Sequence, residues 1–287
     1  MVELSVCIPM FRSKYCGWIA LESLVRQEDI NFEWELVVAE EIGDEPFTKK
    51  RIMEYQKKLR NIGCAKITYI PMKYWTRLSN KLVLMAHRCD KKSKIYVSNS
   101  ADLYSPPKRL KMQYDIFMNN NKIDICSSAR TIVYDIASEK TYLNDGVKKL
   151  EKNKKAIITD GSCRSIRLAL MRQLPRGANR RRSVDGWVWN ESKKHVEKNG
   201  KKFIHSIDIT SDNWKYGLNV HGLNTLTLGI RENRFKGKNR PYYVVDCPID
   251  IRDTIPLEIL ERLIESKKYL SKHKRSTPKW IPHLMLR

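Results

Sequence analysis

The residues whose types and spacing point most directly to chemistry lie between positions 95 and 106, Ile-Tyr-Val-Ser-Asn-Ser-Ala-Asp-Leu-Tyr-Ser-Pro. The apolar start of this run predicts a short buried strand. A polar turn carrying Asp102 follows, and Pro106 and Pro107 then open a predicted helix. Open α/β sheets bind ligands at the carboxyl ends of their strands. A carboxylate placed there suits a divalent cation that holds a diphosphate, although Asp is also a common helix cap.

Strands and helices are predicted to alternate through the first hundred residues. The predicted strands cover residues 3–11, 34–39, 66–71 and 94–98, and the predicted helices cover 13–27, 46–61 and 78–88. Such alternation predicts an α/β fold with a parallel sheet and right-handed crossovers.

The second half of the chain has a less regular pattern. We predict strands at 123–127, 129–134 and 203–209, helices at 162–173, 187–199 and from 256, an exposed connection at 142–155, and basic loops at 174–182 and 229–241. We predict one domain over residues 1–245, divided near residue 106, and an amphipathic helix with a basic tail over 246–287.

Positive charge is the strongest signal in the composition. The chain has 55 Lys and Arg against 32 Asp and Glu, a formal net charge of +23. Such an excess favours a polyanionic partner, either nucleic acid or an anionic membrane surface, over simple solubility. The charge is also clustered. Seven arginines and no acid lie between Gly161 and Val184, namely Arg164, Arg167, Arg172, Arg176, Arg180, Arg181 and Arg182.

Other features of the sequence restrict the class of protein. The seven cysteines are scattered and form no Cys-x-x-Cys pair, which predicts reduced thiols and no zinc site. No apolar run reaches the roughly 18–20 residues of a membrane span. The first residues show no basic stretch before an apolar segment, so we expect no signal peptide and a cytoplasmic location.

Four motifs in order resemble the family-2 glycosyltransferases of the GT-A fold, over about residues 3–230. The first strand ends in Ser-Val-Cys-Ile-Pro-Met-Phe, and the second ends in the acidic pair Glu40 and Glu41, where the family usually has aspartates. Asn80 lies where the family has an Ala-Arg-Asn helix start, without its arginine. The turn Asn-Ser-Ala-Asp at Asn99 occupies the frame of the Asp-x-Asp motif and keeps only the Asp102 carboxylate.

The resemblance implies a Rossmann-like α/β fold with a mixed, mostly parallel sheet flanked by helices, and here also a basic helical extension at the C-terminus. It implies a nucleotide-sugar donor, with UDP expected, and donor contacts from Pro9, Phe11, Glu40, Asn80, Asn99, Ser100, Asp102, Lys236 and Lys238. Mn²⁺ or Mg²⁺ would be held by Asp102 and His221, weakly because the Asp-x-Asp motif is reduced. The alternative to metal binding by His221 is an ordinary structural role. The alternative to phosphate binding by Lys236 and Lys238 is that their charges are simply exposed to solvent.

The resemblance also implies a general base at Asp185, in the run Ser-Val-Asp-Gly-Trp-Val-Trp, and an inverting reaction. A helix cap is the alternative role for Asp185, and the two are compatible. Acceptor contacts are expected from Arg176, Arg180, Arg181, Arg182, Trp187 and Trp189. Their charge favours an anionic acceptor, and the tryptophans could stack on an extruded base. The chain thus resembles the viral enzymes that glycosylate hydroxymethylated pyrimidines in DNA.

Two other functions fit the same sequence. A transferase for a surface polysaccharide or lipid-linked glycan would use the basic C-terminal segment to bind an anionic membrane. A protein that binds nucleic acid without catalysis, on a decayed transferase fold, would explain the reduced Asp-x-Asp motif. No protein partner is evident from the sequence.

Overall fold

The computed structural model describes residues 1–43, 46–73, 76–127, 130–135, 139–145, 164–176, 184–200, 206–208, 218–219, 244–246 and 255–273. The strands are β1 (Val2–Met10), β2 (Glu33–Glu41), β3 (Cys64–Met72), β4 (Ile95–Ser98), β5 (Leu103–Tyr104), β6 (Ile125–Ser127), β7 (Arg130–Asp135), β8 (Lys140–Asp145), β9 (Ser165–Arg167), β10 (Ser206–Asp208), β11 (Leu218–Asn219) and β12 (Val244–Asp246). The helices are α1 (Gly17–Val25), α2 (Lys49–Glu54), α3 (Gln56–Arg60), α4 (Leu78–Arg88), α5 (Arg109–Asn119), α6 (Leu168–Arg172), α7 (Val184–Lys198) and α8 (Leu257–His273).

The larger sheet has the order β10-β6-β9-β4-β1-β2-β3 within the described ranges. Its strands β4, β1, β2 and β3 pair in parallel, as do β10 and β6, while β9 runs antiparallel to both of its neighbours. A smaller sheet has the order β12-β8-β7-β11-β5. The predicted α/β fold with a mixed, mostly parallel sheet is confirmed.

The larger sheet is covered by helices on both faces, and its central strands are therefore apolar on both sides. Alternate residues of β1 point to opposite layers, since Leu4 and Ile8 join one core cluster and Cys7 joins the other. The first layer contains residues of α1, α3, α5 and α8, and the second contains residues of α4, α6 and α7.

Several boundaries differ from the sequence prediction. The exposed connection predicted at 142–155 is wrong at its start, because residues 140–145 form β8 and pair with β7. The helix predicted at 162–173 begins with a strand instead, because β9 inserts between β4 and β6. The helix predicted at 46–61 is divided into α2 and α3 at Tyr55. β9 has only three residues and shows no period, so its pairing with β4 and β6 defines it, whereas β8 pairs with the neighbouring strand β7.

None of the described helices combines the length and the apolar character that a bilayer span requires. The cysteines in the described ranges are free and buried, and they are Cys7, Cys16, Cys64, Cys89 and Cys126.

A network of charged side chains joins α8 to α1. The carboxylate of Glu22 accepts hydrogen bonds from Arg26 at 2.6 Å, from Tyr55 at 3.0 Å and from Arg262 at 3.3 Å. Arg26 also donates to Glu258 at 3.0 Å. Burial opposes ionisation of Glu22, but the hydrogen bonds from Arg26 and Tyr55 outweigh it and lower the pKa of this carboxyl.

We expect Glu22→Gln to lower the free energy of unfolding by about 1–3 kcal/mol at neutral pH, because it removes the charge that these partners share. A carboxyl whose pKa is lowered by folding stabilises the folded state at pH values above its pKa in the unfolded chain. This contribution is lost as the pH falls through the pKa of the folded state. The difference between wild type and variant in urea unfolding should therefore shrink below about pH 4.5. Glu261→Gln, at an exposed position of α8, is the control and should leave stability unchanged. A Glu22→Gln deficit that is independent of pH would contradict this account.

Candidate functional site

A crevice opens at the carboxyl edge of the larger sheet, where β1 and β4 separate. Their pairing ends at Cys7 and Ser98, and the backbone N–H of Asn99 donates to the Cys7 carbonyl at 3.0 Å. β1 continues to Met10, and over its last three residues β2 is its only partner strand among the described residues. Because β2 and β3 lie on one side of β1 and β4 lies on the other, this β1/β4 crevice is the topological switch point of the sheet, where open α/β folds bind ligands.

A buried ion pair lies beside the end of β1. Lys81 of α4 pairs with Glu41 at the end of β2, and both side chains are about 95% buried or more. The ammonium group also donates to the Met10 carbonyl at 3.0 Å and lies 5.5 Å from the centre of the Phe11 ring. Burial lowers the pKa of Lys81, and Glu41 partly offsets this effect. The predicted donor residue Phe11 is exposed and presents an aromatic surface at the mouth of the crevice, and Pro9 is half-buried in the preceding strand.

Glu40, predicted as a donor contact, is fully buried and has internal partners. Its carboxylate accepts hydrogen bonds from the N–H groups of Phe47 and Thr48 and from the Tyr69 hydroxyl at 2.9 Å. Burial and the adjacent Glu40 charge raise the pKa of Tyr69. In this structure Glu40 joins the segment before α2 to β3, and the neighbouring Glu41 contacts Lys81 instead.

Asn99, also a predicted donor residue, fixes the turn after β4. Its side-chain oxygen accepts from the Ser105 hydroxyl at 2.8 Å and from the guanidinium group of Arg109. Arg109 is fully buried and donates to the Ser98 carbonyl at 2.7 Å. Sequence reasoning missed Arg109, since an arginine after Pro-Pro-Lys gives no sign of being buried. The turn therefore places Ser100 and Asp102 at the crevice in half-buried positions.

Asp102 is the carboxylate that remains available at this turn. Within the described ranges no side chain donates a hydrogen bond to it or forms an ion pair with it. Burial raises the pKa of Cys16, and the Asp102 charge adds to that effect, so the two residues are near each other. No three described His, Cys, Asp or Glu residues form a metal-binding cluster. One free carboxylate fits a hydrated Mg²⁺ or Mn²⁺ that takes its other ligands from a diphosphate.

Three of the seven clustered arginines between Gly161 and Val184 are used inside the fold or are buried in it. Arg172 donates to three carbonyls at the C-terminus of α4. Arg167 donates to the carbonyls of Phe117 and Asn120 at the C-terminus of α5 and to that of Ile123 before β6. Arg164 is 4% exposed. Of the predicted acceptor arginines, Arg176 is exposed, and Arg180, Arg181 and Arg182 lie outside the described residues.

Of the remaining predicted residues, Asn80 lies in the first turn of α4, and the others lie on or beyond α7. The helix begins at Val184, so Asp185 is in its first turn, although its side chain is outside the described part. Trp187 is 7% exposed and packs in the second core layer, so its ring is not available for stacking, whereas Trp189 is half-buried. His221, Lys236 and Lys238 are outside the described residues.

No protein-family model matches the chain, and no curated protein matches it either. Solved structures do match. The mannosyltransferase PcManGT from Pyrobaculum calidifontis, in complex with GDP-Man and Mn²⁺, has a TM-score of 0.56 at 12% identity, over 99% of this chain and 78% of its own. Residues 1–349 of S. aureus TarS give a TM-score of 0.52 at 11% identity, and the complex with UDP-GlcNAc gives 0.52 at 13%.

The fold is GT-A-like. This chain matches 76% of its length to the TarS fragment and spans only 58–60% of that fragment. At 11–13% identity the likeness concerns the fold alone. It places the β1/β4 crevice in a GT-A-like fold.

We expect Lys81→Met to destabilise the protein by about 3–5 kcal/mol, because the substitution leaves the Glu41 carboxylate buried without its lysine partner. The double variant Lys81→Met with Glu41→Gln should recover most of that loss, since no unpaired charge then remains. Urea unfolding of the four members of this double-mutant cycle measures the coupling. Equal losses in the single and double variants would show that the pair is not the source of the effect.

Proposed function

We propose that the protein is a glycosyltransferase that moves a sugar from a nucleotide-sugar donor to a hydroxyl group. The observation that carries the proposal is the β1/β4 crevice, which combines a buried Lys81–Glu41 pair, an exposed aromatic ring and the available Asp102 carboxylate on a GT-A-like sheet. These groups suit the parts of a nucleotide diphosphate sugar, which has a flat base, a polar ribose and two phosphates.

Each part of the donor has a proposed contact. The Phe11 ring would pack against the base, and Glu41 with Lys81 would lie near the base or the ribose. Asp102 and Ser100 would face the diphosphate through Mg²⁺ or Mn²⁺, and Lys236 and Lys238, in the basic segment 229–241 that the sequence predicts to be a loop, would contact the phosphates. When bound, the cation neutralises charge on the departing diphosphate. The matched structures with GDP-Man and Mn²⁺ or with UDP-GlcNAc support this class of donor.

We propose Asp185 as the general base. In the displacement, the acceptor oxygen bonds to the anomeric carbon, the bond from that carbon to the diphosphate breaks, and the acceptor proton moves to the Asp185 carboxylate. A single displacement inverts the configuration at that carbon. The position of Asp185 in the first turn of a helix whose Val188 is buried favours a fixed base.

For the acceptor we propose 5-hydroxymethylated pyrimidine in DNA. The support is the net charge of +23 and the exposed Arg176 near α6 and α7. The structural roles of Arg167 and Arg172 reduce the number of arginines that contribute to this argument. The test is transfer from a panel of nucleotide sugars, with Mn²⁺, onto DNA containing 5-hydroxymethylcytosine or cytosine, followed by mass spectrometry of the nucleosides.

A hexose- or pentose-sized mass gain on the hydroxymethylated base alone would establish the reaction class, donor and acceptor together. Donor hydrolysis without any gain would retain the glycosyltransferase and exclude this acceptor. If no donor gave either transfer or hydrolysis, the proposed function would be contradicted.

We expect Asp185→Asn to reduce transfer by about 10²–10⁴-fold while donor affinity is unchanged, because only proton removal is lost. Calorimetric titration with the donor and the transfer rate would be measured on the same preparation. Glu197→Gln, at an exposed position of the same helix, is the control and should transfer at the wild-type rate. Normal turnover by Asp185→Asn would show that another group is the base.

We expect Asp102→Asn to weaken the dependence of donor affinity on Mn²⁺, because an amide is a poorer ligand than a carboxylate for a hard cation. Titration of a UDP-sugar with and without Mn²⁺ measures the difference. An unchanged Mn²⁺ dependence would show that Asp102 does not face the diphosphate.

A further inference from the structure

A groove of about 520 Å³ runs along α4 on the second layer of the molecule. Its floor is apolar and consists of Met72, Val83 and Leu84, and its rim carries Arg88 and Arg176. Both arginines are exposed. No acidic residue is among the described residues that line it, so the groove combines an apolar surface with positive charge alone.

Asn80 is a polar residue among the side chains that line this groove. Its side-chain oxygen is buried and accepts no hydrogen bond in the described part of the chain. A buried acceptor without a partner costs about 1–3 kcal/mol, so native proteins nearly always satisfy such atoms. A ligand that donates a hydrogen bond at this point would remove that cost.

His87 contacts one of the rim arginines. Its Nδ1 lies 3.3 Å from a guanidinium nitrogen of Arg176. Burial lowers the pKa of His87, and the charges of Arg176 and Arg172 lower it further, which favours the neutral ring that can accept a hydrogen bond from Arg176. The contact links Arg176 to α4, and both residues line the groove.

The dimensions of the groove suit a short length of polymer. Asn80 and Arg88 are separated by about 12 Å along the helix axis. The groove begins near the carboxyl edge of the sheet, where Met72 ends β3 and where the β1/β4 crevice opens. A strand that lies along it would have its next residues close to the proposed donor.

We propose that this groove binds a single-stranded segment of the nucleic-acid acceptor, with phosphates at Arg88 and Arg176 and a base amino group donating to Asn80. The inference rests on the proposed function and adds the path of the acceptor. Proteins bind single strands with a positively charged groove that follows the backbone and with aromatic side chains that stack on the bases. In this groove the aliphatic side chains of Met72, Val83 and Leu84 take the place of the aromatic ones. A polyol-phosphate polymer has the same charge, but it lacks the flat apolar rings that the floor would cover.

The test is fluorescence anisotropy of the full chain with a labelled oligodeoxycytidine of about 12 nucleotides. Each phosphate contact contributes about 0.7 to the slope of log affinity against log salt for single strands. Arg88→Gln with Arg176→Gln should therefore reduce the slope by about 1.4, so that wild type loses about sevenfold more affinity than the variant between about 50 and 200 mM salt.

The matched control is Lys57→Gln with Arg60→Gln, which removes the same charge from exposed positions of α3 on the opposite layer. Its slope should equal that of wild type. Equal slopes for the groove variant and the control variant, whether both reduced or both unchanged, would overturn the proposal.

Asn80→Ala tests the base contact. Wild type should bind oligodeoxycytidine about fivefold more tightly than oligothymidine, which has a carbonyl in place of the amino group, and the variant should bind both equally. No preference in wild type, or equal displacement of the oligonucleotide by a polyol-phosphate polymer, would overturn the assignment to nucleic acid. Anisotropy measures binding without a donor, so it tests the groove even if sugar transfer is not observed. If the groove variant transferred sugar at the wild-type rate, the groove proposal would be contradicted and the proposed glycosyltransferase function would not.

Discussion

The separation of β4 from β1 is the constraint on which the rest of the site depends, and the buried guanidinium group of Arg109 fixes the turn that follows β4. Arg109 donates to the Ser98 carbonyl and to the Asn99 and Ser105 side chains, so the chain leaves β4 in one fixed turn. A buried cation is tolerated only where polar groups surround it, which makes this turn expensive to rearrange. Because the turn is fixed, Asp102 is presented at the edge of the sheet without being used to hold the fold together.

Charge has two separate uses in this molecule. Some of the cations that dominate the composition complete the fold, as Arg172 does at the carbonyls that end α4 and as Lys81 does between Glu41 and the end of β1. Others, including Arg88 and Arg176, are exposed beside an apolar groove. Fewer cations are therefore available to bind a polyanion than the net charge of +23 suggests. The position of the exposed cations is more informative than their number.

The central strands and helices could be predicted from the sequence, but the strands that pair with them from distant parts of the chain could not. β1, β2, β3 and α4 were predictable because continuous apolar strands and a helical period are local signals, and α4 covers residues 78–88 as predicted. β9 was not predictable, because three residues show no period and its strand character comes from pairing with β4 and β6. The Asp-x-Asp-like motif predicted the turn at Asn99, but only the structure shows that the Asn99 side-chain oxygen accepts a hydrogen bond from Arg109. Burial of Trp187 likewise depends on which face of α7 packs inward.

The central claim is that a nucleotide sugar binds in the β1/β4 crevice, and hydrogen–deuterium exchange with and without a UDP-sugar and Mn²⁺ tests it most directly. Bound donor should slow exchange in peptides covering residues 8–12 and 98–104, which border the crevice, while peptides from α3 on the first layer exchange at the same rate. The same experiment with a GDP-sugar identifies the base. Protection that appears elsewhere and leaves both crevice segments unchanged, or no protection with either nucleotide, would contradict the account.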